Sequence, residues 1–209
     1  MNHRFIGPEV ELFLNGNPPN IVKNKYFFYG KKIFAVDGAF YYLKKMGIKV
    51  DFISGDFDSI LKKDLPLKDE VFETNNQDIT DFDKALRIIH HKGFLNVNVW
   101  GAGGREQDHF LGNLSTALKY KKKLSLIFHD DYHSYFFSNK KTFFYQKKNK
   151  IISLFPFPKV EGLLTYGLKY PINDESFQIG KRIGIRNKAI ESKIKIIYKK
   201  GELLIFLEK

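Results

Sequence analysis

Apolar and polar positions follow two different textures along this chain. From residue 9 to about 130, short apolar runs take turns with stretches whose apolar residues recur every three or four positions. Glu9–Leu14, Ile33–Val36, Phe52–Gly55, Asn96–Trp100 and Leu124–His129 read as strands, with Val71-Phe72 a weaker one. A helix is predicted over Ala39–Met46, with Ala39, Tyr42, Leu43 and Met46 on one face and Gly47 as its stop. A second helix follows Thr80-Asp81-Phe82-Asp83, which has the form of a capping box. It carries Phe82, Ala85, Leu86 and Ile89 at the spacing of one helix face, and His90 and His91 complement its negative end. A third helix places Phe110, Leu111, Leu114, Ala117 and Leu118 on its buried side. Strands alternating with helices imply parallel pairing through crossovers.

Beyond residue 131 the helical period disappears. Tyr132–Phe137, Thr142–Tyr145, Ile151–Phe155, Leu163–Thr165, Ile194–Tyr198 and Leu203–Phe206 are short β-rich runs separated by turn residues. The expected architecture is an α/β N-terminal domain with a mainly parallel sheet over 1–131. A small all-β antiparallel sandwich follows over 132–209.

Composition narrows the class. With 43% hydrophobic and 16% aromatic residues in 209, the chain has ample material for a packed core. The absence of cysteine excludes disulfides, thiolate catalysis and cysteine-based zinc sites. No apolar run is long enough to cross a bilayer, and Met1–Glu9 lacks a signal-peptide core, so cytoplasm is the expected location. A net charge of +12 fits an anionic substrate or nucleic acid, yet Lys119–Lys123 and Lys147–Lys150 read as solvated helix-end and turn residues. One region departs from this basic background. Residues 51–83 hold ten acids against three lysines, a local charge of −7.

Within that island Asp56 and Asp58 stand two residues apart, where the strand Phe52–Gly55 opens into a loop. Asp37-Gly38, Asp78, Asp81, Arg105 and Asp108 also fall at strand ends or helix starts, which lie on one edge of an open parallel sheet. Carboxylates converging with an arginine suit magnesium-assisted phosphoryl chemistry. Taken singly, Asp81 also serves as a helix N-terminal charge, and Asp78 and Asp37-Gly38 as turn residues. The loop Gly101-Ala102-Gly103-Gly104 is neither a Walker A nor a dinucleotide fingerprint, though its amides suit close approach to a phosphate.

Seven stretches, in order and spacing, resemble the thiamine pyrophosphokinase family over nearly the full length. They are NG at 15–16, VDGA at 36–39, SGDFDS at 54–59, NQDITDFDKAL at 76–86, GAGGREQDHFLGNL at 101–114, ISLFPF at 152–157 and GLKYPI at 167–172. The resemblance implies transfer of the pyrophosphoryl group of ATP to the hydroxyl of thiamine, releasing AMP, with Mg2+ as cofactor. It implies catalytic roles for Asp56, Asp58, Asp78, Asp81 and Asp108, of which Asp56, Asp58 and Asp81 hold metal. Nucleotide contacts are implied for Asp37, Gly38, Arg105, His109 and Asn113, and thiamine contacts for Gln77 and Asn187. A homodimer with sites at the subunit interface is implied as well, with neither nucleic acid nor membrane as a partner. Three positions depart from the family pattern. Asn76 stands for a frequent aspartate, Val50 for a frequent proline, and Arg186 for a small hydroxyl residue near the thiamine pocket. Because thiamine is itself a cation, Arg186 is expected to point outward or toward phosphate. The competing readings are a pyrophosphokinase for another hydroxymethyl heterocycle, such as a pterin, and a basic nucleic-acid-binding module.

Overall fold

The structure is a computed structural model and describes residues 3–20, 25–55, 57, 70–74 and 78–209. The chain divides into two compact units, His3–Asp131 and Tyr132–Lys209.

The first unit holds six strands: β1 (Glu9–Phe13), β2 (Lys32–Val36), β3 (Phe52–Gly55), β4 (Val71–Glu73), β5 (Asn96–Trp100) and β6 (Ser125–His129). Every pairing among them is parallel, in the order β4-β3-β2-β1-β5-β6. Between β1 and β5 the direction of winding reverses, so the loops after these two strands part and leave a crevice, the usual ligand position in such sheets. Helix α1 (Ala39–Lys45) buries Ala39, Phe40 and Leu43 against Phe13, Ile33, Ala35 and Ile53. Helix α2 (Asp81–His91) lies on the other face, where Phe82 meets Phe128 edge-on. Helix α3 (Gln107–Tyr120) connects β5 to β6. Leu111, expected on the buried side of α3, is instead 59% exposed. The first turn of that helix is exposed, and burial begins only at Leu114.

Both faces of the central strands are covered, which explains why β1 and β5 are buried almost throughout. Glu11 interrupts the apolar run of β1 and is only 1% exposed. Its carboxylate accepts from Lys31 at 2.8 Å, Asn98 at 3.0 Å and the Trp100 indole at 2.7 Å, so the buried charge is fully bonded.

The second unit is antiparallel. It comprises β7 (His133–Phe137), β8 (Lys141–Tyr145), β9 (Ile151–Tyr166), β10 (Glu175–Gln178), β11 (Gly184–Lys188), β12 (Lys193–Ile197) and β13 (Lys200–Glu208). The 16-residue β9 organises it, pairing with β13 along Ile152–Pro156, with β12 along Leu164–Tyr166, and with β10 and β11. Two runs expected as separate strands, Ile151–Phe155 and Leu163–Thr165, are therefore parts of one strand. Leu154, Val160, Leu163, Phe177, Ile194, Ile196, Leu203 and Ile205 fill the core between.

Candidate functional site

Loops leaving the C-terminal ends of β1, β2, β4 and β5 line a cleft of about 560 Å³ in the first unit. Its construction begins with glycines. Gly16 N–H donates to Gly101 O at 2.8 Å and Asn17 N–H to Gly103 O at 2.8 Å, so the loops after β1 and β5 stay paired beyond the strands. A Cβ on Gly16 would stand 2.3 Å from Gly101 O, and only glycine permits that approach. Asp37 takes up a left-handed conformation (φ 44°) directly after β2, and its carboxylate lies against Gly55 so closely that a Cβ there would meet Oδ1 at 1.6 Å.

Side chains fix the rest. The Tyr42 hydroxyl of α1 donates to Leu14 O at 2.8 Å and ties down the end of β1. Burial pushes that hydroxyl's pKa well above its ordinary range, and nearby Arg105 offsets only part of the effect. Arg105 donates to Asn15 Oδ1 at 3.2 Å, bridging the loops after β1 and β5. Asn113 donates to Ala102 O at 2.9 Å and braces the glycine loop from α3. Thr80 caps α2 by accepting from Asp83 N–H at 3.2 Å, as the sequence pattern implied.

Of the residues singled out from sequence, Asp37, Asp78, Asp81, Arg105, Asp108, His109 and Asn113 all line this one cleft. Gly38 sits beside it as the N-cap of α1, with the Asn15 carboxamide packed on its Cα. Asp56, Asp58 and Gln77 lie outside the described residues. Asn187 is in β11 of the second unit, buried, with Oδ1 accepting from Tyr170 N–H at 3.0 Å and Nδ2 donating to Tyr170 O at 2.7 Å. Arg186 beside it is exposed, with φ 59°.

Three residues that shape the cleft fall in stretches the sequence singles out, yet sequence reading gave them no role in the site. Asn15 and Tyr42 are recognisable only once their partners are known. Lys84 had a local signal, an acid three residues before it at a helix start, but nothing local marks it as buried. Among the described residues no three histidine or acidic side chains come close enough to hold a metal ion by themselves. The carboxylates of Asp37, Asp78, Asp81 and Asp108 fit a hard cation held by few carboxylates together with substrate phosphates.

Fold and cleft together define a class: an α/β unit whose carboxylate-lined switch-point crevice suits a polyphosphate ligand, joined to an antiparallel β unit. Residues 25–128 match the family model for the thiamin pyrophosphokinase catalytic domain, and residues 141–203 match that for the thiamin pyrophosphokinase vitamin B1 binding domain. The chain belongs to the thiamine pyrophosphokinase family. Thiamine pyrophosphokinase of Bacillus subtilis is 29% identical over 161 residues, 72% of this chain and 75% of that protein. The crystal structure of a Bacillus subtilis thiamine pyrophosphokinase superposes with a TM-score of 0.82 at 24% identity, over 96% of this chain and 99% of that one. Yeast thiamin pyrophosphokinase gives 0.80 at 15% identity, over 99% and 88%.

Proposed function

We propose that this chain transfers the pyrophosphoryl group of ATP to the hydroxyl of thiamine, yielding thiamine diphosphate and AMP. The observation that carries this reading is the convergence of Asp37, Asp78, Asp81, Asp108 and Arg105 on one cleft in a chain of this family. The thiamine hydroxyl oxygen attacks the β-phosphorus of ATP in line, and the bond from that phosphorus to the bridging oxygen of AMP breaks. The hydroxyl proton passes to one of the cleft carboxylates. Arg105, already held by Asn15, offsets negative charge on the phosphates, and the paired glycine loops let the backbone come close to them. Asp56, Asp58 and Asp81 would hold Mg2+, which neutralises charge on the phosphate oxygens when bound. Asp37, Gly38, His109 and Asn113 take the nucleotide side and Gln77 the thiamine side. Asn187 serves thiamine indirectly, by fixing the backbone around Tyr170. The assembly is a cytoplasmic homodimer.

The test is AMP release from ATP and magnesium, with and without thiamine. Thiamine-dependent AMP formation is expected, and AMP that forms regardless of thiamine would overturn the reading. Stimulation by a hydroxymethyl pterin in place of thiamine would reassign the acceptor, an arm warranted by the exposed cation at Arg186.

A further inference from the structure

The described basic side chains lining the cleft are not alike. Arg105 and His109 are exposed, whereas Lys84 is only 7% exposed. Its ammonium donates to Asp81 Oδ1 at 2.8 Å and to the Thr74 backbone carbonyl at 3.1 Å. Thr74 directly follows β4, and its N–H donates to Gly55 O at 3.0 Å, at the end of β3. One ammonium thus joins the C-terminal edge of the sheet to the first residue of α2.

Helix stability alone does not account for this placement. An ion pair one turn apart on a helix contributes about 0.2–0.5 kcal/mol and forms equally well in water. Burying an ammonium costs several kcal/mol unless its donors are met, so burial here goes with the Thr74 carbonyl and the Asp81 carboxylate. An ammonium has three donors. Among the described residues the Thr74 carbonyl and the Asp81 carboxylate take two of them.

We infer that Lys84 is a positioning residue of the phosphate-transfer site. It fixes the Asp81 carboxylate and ties the start of α2 to Thr74 at the sheet edge. This rests on the activity proposed above, and it adds a residue whose effect runs through carboxylate geometry.

The experiment compares the full-length wild type with Lys84→Met, which keeps the stem and removes the ammonium, and Lys84→Arg, which keeps the charge. In Lys84→Met, kcat for thiamine-dependent AMP release is expected to fall by about tenfold or more, with KM for thiamine within about threefold. Lys84→Arg should recover part of that rate. Binding of Mn2+, read by paramagnetic resonance without turnover, should be no weaker than in the wild type, because a cation competing for Asp81 has been removed. A folded Lys84→Met protein with kcat within about twofold of wild type would overturn the inference. Parallel loss of kcat, Mn2+ binding and thermal stability would also overturn it, because it marks a merely structural lysine. Should Lys84→Met not fold, Lys84→Gln, whose shorter neutral tip carries no positive charge to hold Asp81, is held to the same criteria. Failure of the wild type to release AMP with thiamine strikes the proposed activity instead, and the Mn2+ arm reads Lys84 separately.

Discussion

Asp83 illustrates how a single side chain in this protein acquires a role from its surroundings. The two acids in the first turn of α2, either side of Phe82, have different fates: Asp81 opens to the cleft, while Asp83 is 5% exposed and faces α3. Burial pushes the Asp83 carboxyl up, but bonds from Lys119 at 2.6 Å, Tyr120 at 2.7 Å and Arg87 at 2.9 Å outweigh it and hold its pKa below the ordinary value. A carboxylate with a depressed folded-state pKa contributes stability above its unfolded value, near ~4, and loses that contribution as pH falls through the folded value. Asp83→Asn is therefore expected to cost about 1–3 kcal/mol at pH 7 and to flatten the acid limb of a melting-temperature profile. An unchanged acid limb would show that the network is not the source. At Arg186 the expectation concerns charge. The side chain is exposed and the backbone N–H donates to Ser153 Oγ at 3.0 Å. Arg186→Ser should lower KM for thiamine by a few-fold, because a solvent-screened cation repels another cation only modestly. No change would remove Arg186 from the thiamine end of the site.

Among elements, those with a strong local pattern matched expectation. The cap at Thr80, the stop of α1 at Gly47 and the buried face of α2 are written in adjacent residues and need no distant partner. Elements that depend on partners were missed. The segments β10 (ESFQ) and β11 (GIRNK) carry too little apolar alternation to announce strands, and they become so by pairing with β9. Likewise β9 reads as two runs because Pro156, Pro158 and Gly162 interrupt its pattern, while its neighbours on both edges keep it continuous. The same dependence governs the cleft's lip. Gly16→Ala places a methyl group against two carbonyl oxygens, so the loops after β1 and β5 must part. A loss of about 1–3 kcal/mol in a denaturant melt is expected, together with weaker ATP binding by calorimetry. Wild-type ATP affinity in Gly16→Ala would mean that the lip does not cradle the phosphates.

For the whole molecule, the acidic island of the sequence resolves into a local feature of a basic protein: Asp78 and Asp81 belong to the cleft, whereas Asp51 accepts from Ile33 N–H at 2.9 Å and from Lys32. No helix among the described residues is long and apolar enough to cross a membrane. Large apolar side chains left exposed gather on the second unit, including Tyr145, Tyr166, Ile179, Ile183, Ile185 and Ile190. Exposed apolar side chains of this size favour association where they adjoin. Sedimentation equilibrium should therefore report a mass near twice 24.4 kDa, and Ile185→Lys should shift it toward the monomer. A wild type that stays monomeric at micromolar concentration would remove the homodimer from the proposed function.

By itself, the sequence determined what is local: the periods of its strands and helices, and carboxylates placed where strands end. Those signals suffice because side-chain direction along a helix or strand depends only on neighbouring residues. Tertiary structure alone decided which strand ends meet. Asn15 and Arg105 lie 90 residues apart and stand 3.2 Å apart because β1 and β5 are neighbours, an order that no local period encodes. It also decided which charges are buried. Asp83 and Lys84 look like ordinary polar helix residues until α3 and the end of β4 close over them, and desolvation, a property of the surroundings, sets what each must bind.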